Sequence, residues 1–348
     1  MFTNYRIKFN ASSSLAFLLI IILLSGCGAT ATHETTGSTK SSEETVSSGA
    51  SQSASSETPA STDSETRVFT DDLGREVEIP VAPQRVVISD FAAEMLAVGG
   101  TPIGAGHNEF KNVFIADKLE QTENIGDPPN VEKLLELAPD LIVASTVFHE
   151  IYPEVMEQLE KVAPILFISF DQDPIYDTFP KIADVLGRQK EAKQWIAEYE
   201  QEAEQARAQV KAALGADTVS IFRIEKGRLR IYLNRNFAGY MLYRGLQVNP
   251  PKEVASEIAK QPFGSAIQIS LEKLPEYATD HMFIIVRNEG DDQAEFEQIK
   301  KSALWKSLPA VQEGNVYQLE TDKYYGADII TIRETLKEAL VILTSDNR

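Results

Sequence analysis

One stretch without glycine or proline, KEAKQWIAEYEQEAEQARAQVKAAL at 190–214, constrains everything else in the chain. Alanine, glutamate, lysine and glutamine dominate it, the residues that lose least on entering a helix. Apolar or small side chains recur at Trp195, Tyr199, Ala203, Ala206, Val210 and Leu214. Those steps of three and four make one stripe on a helix. Gly187 before the stretch and Gly215 after it act as stop signals. At about 1.5 Å per residue the helix runs about 35–40 Å, long enough to cross a domain. It divides the foldable chain into two pieces of similar size, so the spacing predicts a rigid strut between two lobes.

A chain of 348 residues has room for two full cores. Its net charge of −19 argues against nucleic acid or an anionic lipid surface as a partner held by bulk electrostatics. An anionic ligand would have to meet a local cluster of arginine and lysine. Cys27 is the only cysteine, which excludes an intrachain disulfide and a cysteine-rich metal site.

Arg6 and Lys8 precede an apolar run at 15–24 (LAFLLIIILL), too short to span a bilayer but suited to a signal segment. Leu24-Ser25-Gly26-Cys27 follows and resembles the lipobox of bacterial lipoproteins, in which the cysteine is acylated and becomes the mature N-terminus. The plain alternative is a secretory peptide cut nearby, with Cys27 incidental. The expectation is a signal peptide at 1–26 and a lipid anchor on Cys27. Residues 27–66 are mostly Ser, Thr, Ala, Gly and Glu, with almost nothing to bury, and read as a flexible tether. Such a tether suits a protein at the outer face of the cytoplasmic membrane under a cell wall, which points to a Gram-positive host.

Residues 67–189 read as a first α/β lobe. A hairpin at 67–79 turns at Asp72-Leu73-Gly74, strands lie at 85–89, 103–106, 141–144 and 165–170, and helices lie at 91–98, 130–138, 153–162 and 178–186. Residues 215–348 read as a second. Strands at 218–223 and 228–233 join around Lys226-Gly227, with helices at 237–246, 270–278, 296–308 and 328–343 and strands at 282–286 and 315–319. The stretch through Pro250-Pro251 and Pro262-Phe263-Gly264 reads as irregular. The fold class is therefore α/β: two Rossmann-like lobes, each a mostly parallel sheet flanked by helices, joined by one long helix. No G-x-G-x-x-G follows a strand, so a dinucleotide-binding reading loses its main support.

A repeat links the lobes. Glu132-Lys133-Leu134-Leu135-Glu136-Leu137-Ala138-Pro139-Asp140 aligns without a gap on Glu272-Lys273-Leu274-Pro275-Glu276-Tyr277-Ala278-Thr279-Asp280, and Asn130 and Ser270 stand two residues before each. One reading is structural: a capped helix with an early acid that complements its dipole, followed by a strand. The other is functional: each lobe offers one exposed carboxylate, Glu132 and Glu272, as a two-point handle for a partner with two basic pockets.

The lipobox, the tether and the two lobes on one strut resemble the ABC-importer substrate-binding proteins for iron–siderophores, haem and cobalamin. Arg85-Val86-Val87, Pro129-Asn130-Val131-Glu132, Leu137-Ala138-Pro139-Asp140-Leu141-Ile142 and Ser270-Leu271-Glu272 carry the likeness. So does Leu304-Trp305-Lys306-Ser307-Leu308-Pro309-Ala310-Val311 with Gly314-Asn315-Val316-Tyr317. The resemblance covers nearly all of 67–343. It implies a binding protein and not an enzyme, a ferric siderophore as ligand with no cofactor, and docking of Glu132 and Glu272 on arginines of a permease dimer served by an ATPase. It further implies nearly rigid lobes. A monomer held to the membrane only by its lipid is expected.

Ligands of open α/β sheets bind beyond the carboxyl ends of the strands. That rule selects Asp90-Phe91, His107, Phe110, Lys111 and 145–149 with Phe148 and His149 in the first lobe. In the second it selects Arg223, Tyr232, Asn236, Arg287, Tyr324 and Tyr325. Arginine forks would meet oxygen acceptors of a ferric siderophore, and aromatic faces its organic periphery. Arg223 is the foremost candidate, at the end of a strand; an exposed strand-end arginine is its plain alternative. No metal site on the protein is expected, because the siderophore supplies the iron ligands. Hydroxamate or mixed citrate–hydroxamate ligands are favoured over catecholates. The alternatives are haem, cobalamin or a bare metal on the same scaffold, or a secreted two-lobed enzyme, for which no G-x-S-x-G or H-E-x-x-H is present.

Overall fold

Gln189–Leu214 is one unbroken helix, and every residue of the stripe read from its spacing is buried, together with Ala192. Trp195 stacks on Tyr199 with ring centroids 5.7 Å apart and meets Phe179 edge-on at 5.3 Å. The computed structural model describes residues 65–235, 237–287, 290–324 and 326–345. The signal segment, Cys27, the tether up to residue 64, Asn236 and Tyr325 lie outside them.

The strands are β1 (Thr66–Thr70), β2 (Glu76–Pro80), β3 (Val86–Ile88), β4 (Gly104–Ala105), β5 (Glu123–Asn124), β6 (Leu141–Ser145) and β7 (Ile165–Ile168) before the long helix. After it come β8 (Val219–Glu225), β9 (Arg228–Tyr232), β10 (Ala266–Ile269), β11 (His281–Val286) and β12 (Val316–Leu319). β1 and β2 form an antiparallel hairpin. The first sheet has the order β5-β4-β3-β6-β7 with every neighbouring pair parallel. Its strands β3, β6 and β7 are buried along their whole length, as a parallel sheet covered by helices on both faces requires.

The second sheet has the order β10-β9-β8-β11-β12. β8, β11 and β12 are parallel neighbours, whereas β9 runs against both β8 and β10. The reversal follows from the turn: Lys226 and Gly227 both have positive φ, 50° and 68°, the two-residue geometry whose twist matches a hairpin. The two-lobed α/β architecture is thus present, with one strand of the second sheet reversed.

A single hydrophobic cluster runs from Val86 and Ile88 of the first sheet, through Trp195, Tyr199 and Val210 of the long helix, to Val219, Ile221 and Phe283 of the second. The C-terminal helix Ile329–Thr344 lies along the long helix, where Arg333 forks onto Glu202 and sits 5.3 Å over the Trp195 ring. Polar ties also cross between the halves. Tyr240 donates to Asp173 Oδ1 at 2.9 Å, and Asn112 Nδ2 donates to Asp328 Oδ2 at 2.9 Å.

The repeated segments occupy equivalent places. Each precedes the strand that lies parallel beside the first strand, in chain order, of its five-stranded sheet, β6 beside β3 and β11 beside β8. Leu134 and Leu274 are both buried. Asp140 accepts from the backbone of Gln84 and Arg85 at 2.7 and 3.0 Å, and Asp280 accepts from the backbone and hydroxyl of Thr218, both at 2.7 Å. Each aspartate therefore ties the end of its repeat to the start of the neighbouring strand.

Local differences have local causes. The helix read at 270–278 is a 3-10 turn, Leu271–Lys273, followed by Leu274–Tyr277, with Pro275 in the first turn of the second piece. Ser302 is extended and caps the next helix through Trp305 N, which splits the helix read at 296–308 into Asp292–Lys301 and Ala303–Lys306. The stretch read as irregular holds the helix Lys252–Lys260, started by Pro251, and the edge strand β10. Arg223 does not end its strand, because β8 continues two residues to Glu225.

Candidate functional site

A cavity of about 500 Å³ lies between the lobes. Its wall comes from the segments that follow the carboxyl ends of strands: Phe91 and Glu94 after β3, Asn108–Asn112 without Phe110 after β4, Val147 after β6, and Phe170 and Gln172 after β7. The C-terminal half contributes Arg235 after β9 and Asp322 and 326–328 after β12. One face is apolar. Phe91 and Phe170 pack with centroids 4.7 Å apart, and Phe170 and Val147 keep 43% and 41% of their surface accessible, so they present carbon to whatever enters. Arg235 donates to the Phe170 carbonyl at 3.3 Å and pairs with Asp171, a tie between the two halves.

The wall also carries acids. Glu94, on the helix Ala92–Ala97, is 1% exposed; its Oε1 accepts from Ile329 N at 3.4 Å and its Oε2 has no hydrogen-bond partner. Glu109 Oε2 accepts from Ala92 N at 3.0 Å, and Asp328 accepts from Thr331 N and from Asn112. Burial raises the pKa of Glu94, and the charges of Asp328 and Asp90 raise it further. Burial likewise lifts Glu109 well above the ordinary range, reinforced by Asp90, Asp328 and Glu94, and it lifts Asp328. Asp90, behind the wall, is pushed up to about 6 by burial, against hydrogen bonds from Ser145. Gly326 fits the wall because a β-carbon there would stand 2.7 Å from Asp328 Oδ2 and 2.9 Å from Thr331 Oγ1.

A second cluster gathers three of the residues read from the sequence. Arg223, 5% exposed, donates through Nη1 to the Tyr232 hydroxyl at 2.7 Å and through Nη2 to Glu225 at 3.2 Å. Arg287 also pairs with Glu225, and Arg230 reaches it at 3.7 Å. Burial works to raise the Glu225 pKa, but the Arg287 hydrogen bond and the charges of Arg223, Arg287 and Arg230 outweigh it and hold it low.

The other residues stand apart. His107 is exposed, with Nδ1 3.1 Å from Asn124 Nδ2, and Phe110 is half-buried against the shared core. Phe148 is buried in the outer core of the first lobe, and His149 lies 4.8 Å from the Phe167 ring. Tyr324 is buried and donates to Glu338 at 2.8 Å. Glu132 and Glu272 are both exposed in the first turns of their helical segments. Glu132 makes no ion pair or side-chain hydrogen bond among the described residues, whereas the Glu272 carboxylate is held below its usual range by its own backbone N–H and the Ser270 hydroxyl. The acidic wall is what sequence reasoning passed over. Glu94 sits alone in the apolar run FAAEMLAV, and that isolation was the available signal.

Residues 87–322 match the periplasmic binding protein family. The chain belongs to that family. The iron(3+)-hydroxamate-binding protein YxeB of Bacillus subtilis (strain 168) is 32% identical over 82% of this chain and 87% of its own length. The iron(3+)-hydroxamate-binding protein FhuD of the same organism is 31% identical over 75% and 81%. The crystal structure of a FhuD fold-family protein, a component of a ferrichrome ABC transporter from Bacillus subtilis, superposes with a TM-score of 0.70 at 29% identity, covering 80% of this chain and 100% of that one. This periplasmic binding protein is accordingly a binding protein and not an enzyme.

Proposed function

We propose that the protein captures a ferric siderophore in the inter-lobe cavity and hands it to the permease dimer of an ABC importer driven by its ATPase. Residues 67–189 and 215–348 serve as the lobes and 190–214 as the link. The observation that carries the reading is the cavity itself: it is built by segments that follow strand ends in both halves, has the size of a small-molecule site, and is lined by both apolar and polar side chains. The siderophore supplies the iron ligands. Among the described residues no group of three or more His, Cys, Asp or Glu is placed to hold a metal ion. Hydroxamates are the favoured chemistry, in keeping with the relatives' names.

The residues selected by the strand-end rule, Arg223, Tyr232, Asn236, Arg287, Tyr324, Tyr325, His107, Phe110, Phe148 and His149, are proposed as ligand contacts beyond that wall, to which none of the described ones contributes. Glu132 and Glu272 are proposed as the docking pair. In the repeat the leucines fill cores and the aspartates tie strands, so these exposed glutamates are left available to a partner. Cys27 carries the lipid anchor at the outer face of the cytoplasmic membrane.

Titration of the purified protein with a ferric trishydroxamate, followed by intrinsic fluorescence, tests the reading. Saturable quenching at one equivalent supports it. Saturation by haem or cobalamin, with none by ferric hydroxamates, overturns it.

A further inference from the structure

The acidic face of the cavity has a bearing on which ferric complexes enter. Glu94, Glu109 and Asp328 converge on it, and their hydrogen bonds come from backbone N–H groups and the Asn112 amide. Among the described residues no lysine, arginine or histidine pairs with any of the three. The two basic residues in the wall are engaged elsewhere: Lys111 donates to Asn108 Oδ1 at 3.1 Å, and Arg235 is held by Asp171 and the Phe170 carbonyl. Glu94 belongs to the cavity wall, and its Oε2 is buried and accepts from nothing. A buried carboxylate without a counter-charge is unfavourable, and a ligand that brings a cation removes that penalty. The three acids are not set as a metal site. A cation with N–H donors fits them, since each donor forms a charge-assisted bond to a carboxylate oxygen.

We infer that Glu94, Glu109 and Asp328 form a cation subsite that receives a primary ammonium on the periphery of the ferric siderophore. The inference rests on the ferric-siderophore reading and narrows it to ammonium-bearing complexes. Polyanionic citrate-type complexes would find no counter-charge on this face.

The test compares ferrioxamine B, a linear ferric trishydroxamate ending in an ammonium, with its N-acetyl derivative, which keeps the iron centre and lacks the charge. The native protein should prefer the ammonium form by about tenfold, the size of a charge-assisted hydrogen bond. Glu94→Gln should reduce that ratio to about twofold. Glu109→Gln, read the same way, decides the matter if Glu94→Gln does not fold. Equal affinity of the native protein for both forms overturns the subsite but leaves the ferric-hydroxamate reading standing. Binding of neither form overturns both. A ratio that stays near tenfold in the folded variants shows that the preference arises elsewhere and also overturns the subsite.

Discussion

Arg223 of β8 donates to the hydroxyl of Tyr232 on the adjacent β9 at 2.7 Å, and the same guanidinium reaches Glu225 two residues along its own strand. Arg223 faces Arg230 in the ladder, so residue 232 lies one diagonal step away on the same face of the sheet. The bond fixes the fork on the sheet, and the glutamate neutralises part of the charge of three neighbouring arginines.

Arg223→Ala should therefore cost stability as well as affinity. Removal of one partner from a buried network costs about 3 kcal/mol, read as a lower urea midpoint with unchanged slope. Arg223→Lys keeps the charge but not the fork, and should weaken ferric-hydroxamate binding about tenfold. Native affinity in Arg223→Lys would remove the residue from the site.

The acidic wall sets the pH dependence of the ligand-free protein. Glu94, Glu109, Asp328 and Asp90 all have folded pKa values above their unfolded ones, with Lys111 and Arg235 the basic groups on the same wall. The native state thus holds extra protons, and this contribution to stability is full below the unfolded carboxyl range of about 4 and is lost as pH rises through the folded values. Stability should fall between about pH 5 and pH 8, and Glu94→Gln should flatten the fall. Urea midpoints that rise over this interval would contradict it.

Asp280→Ala should destabilise the second lobe by about 1–2 kcal/mol, because it deprives Thr218 of two bonds. The Thr218 backbone N–H leads the interactions that hold the Asp280 pKa low. Its contribution is therefore present above the unfolded value of about 3.9 and is lost as pH falls below it. A variant as stable as the native protein at neutral pH would show that the tie is idle.

Glu132→Ala combined with Glu272→Ala should leave ligand binding intact and abolish uptake. Normal uptake by cells carrying the double variant would reject the docking role.

The connecting helix was legible residue by residue, since its burial follows one stripe and nothing tertiary competes with it. The α/β alternation was legible for the same reason: continuous apolar runs such as Leu141–Ser145 have few places to go but a covered sheet. β10 was hidden because it is an antiparallel edge strand beside proline-rich turns, and its position depends on β9. The strand-end rule found the loops that build the cavity, naming Phe91, Lys111 and the 145–149 segment. It did not reach Phe170, Arg235 or Asp328, whose meeting depends on how the two halves close on each other. Glu94 was illegible because periodicity cannot tell an acid on a solvent face from one on a cavity wall.

Anomalous diffraction at the iron edge, from crystals grown with a ferric trishydroxamate, tests the central claim most directly. The expected result is one iron peak inside the cavity bounded by Val147, Phe170 and Asp328. A peak on the outer surface of either lobe, or none from crystals of protein saturated with the complex, would contradict it.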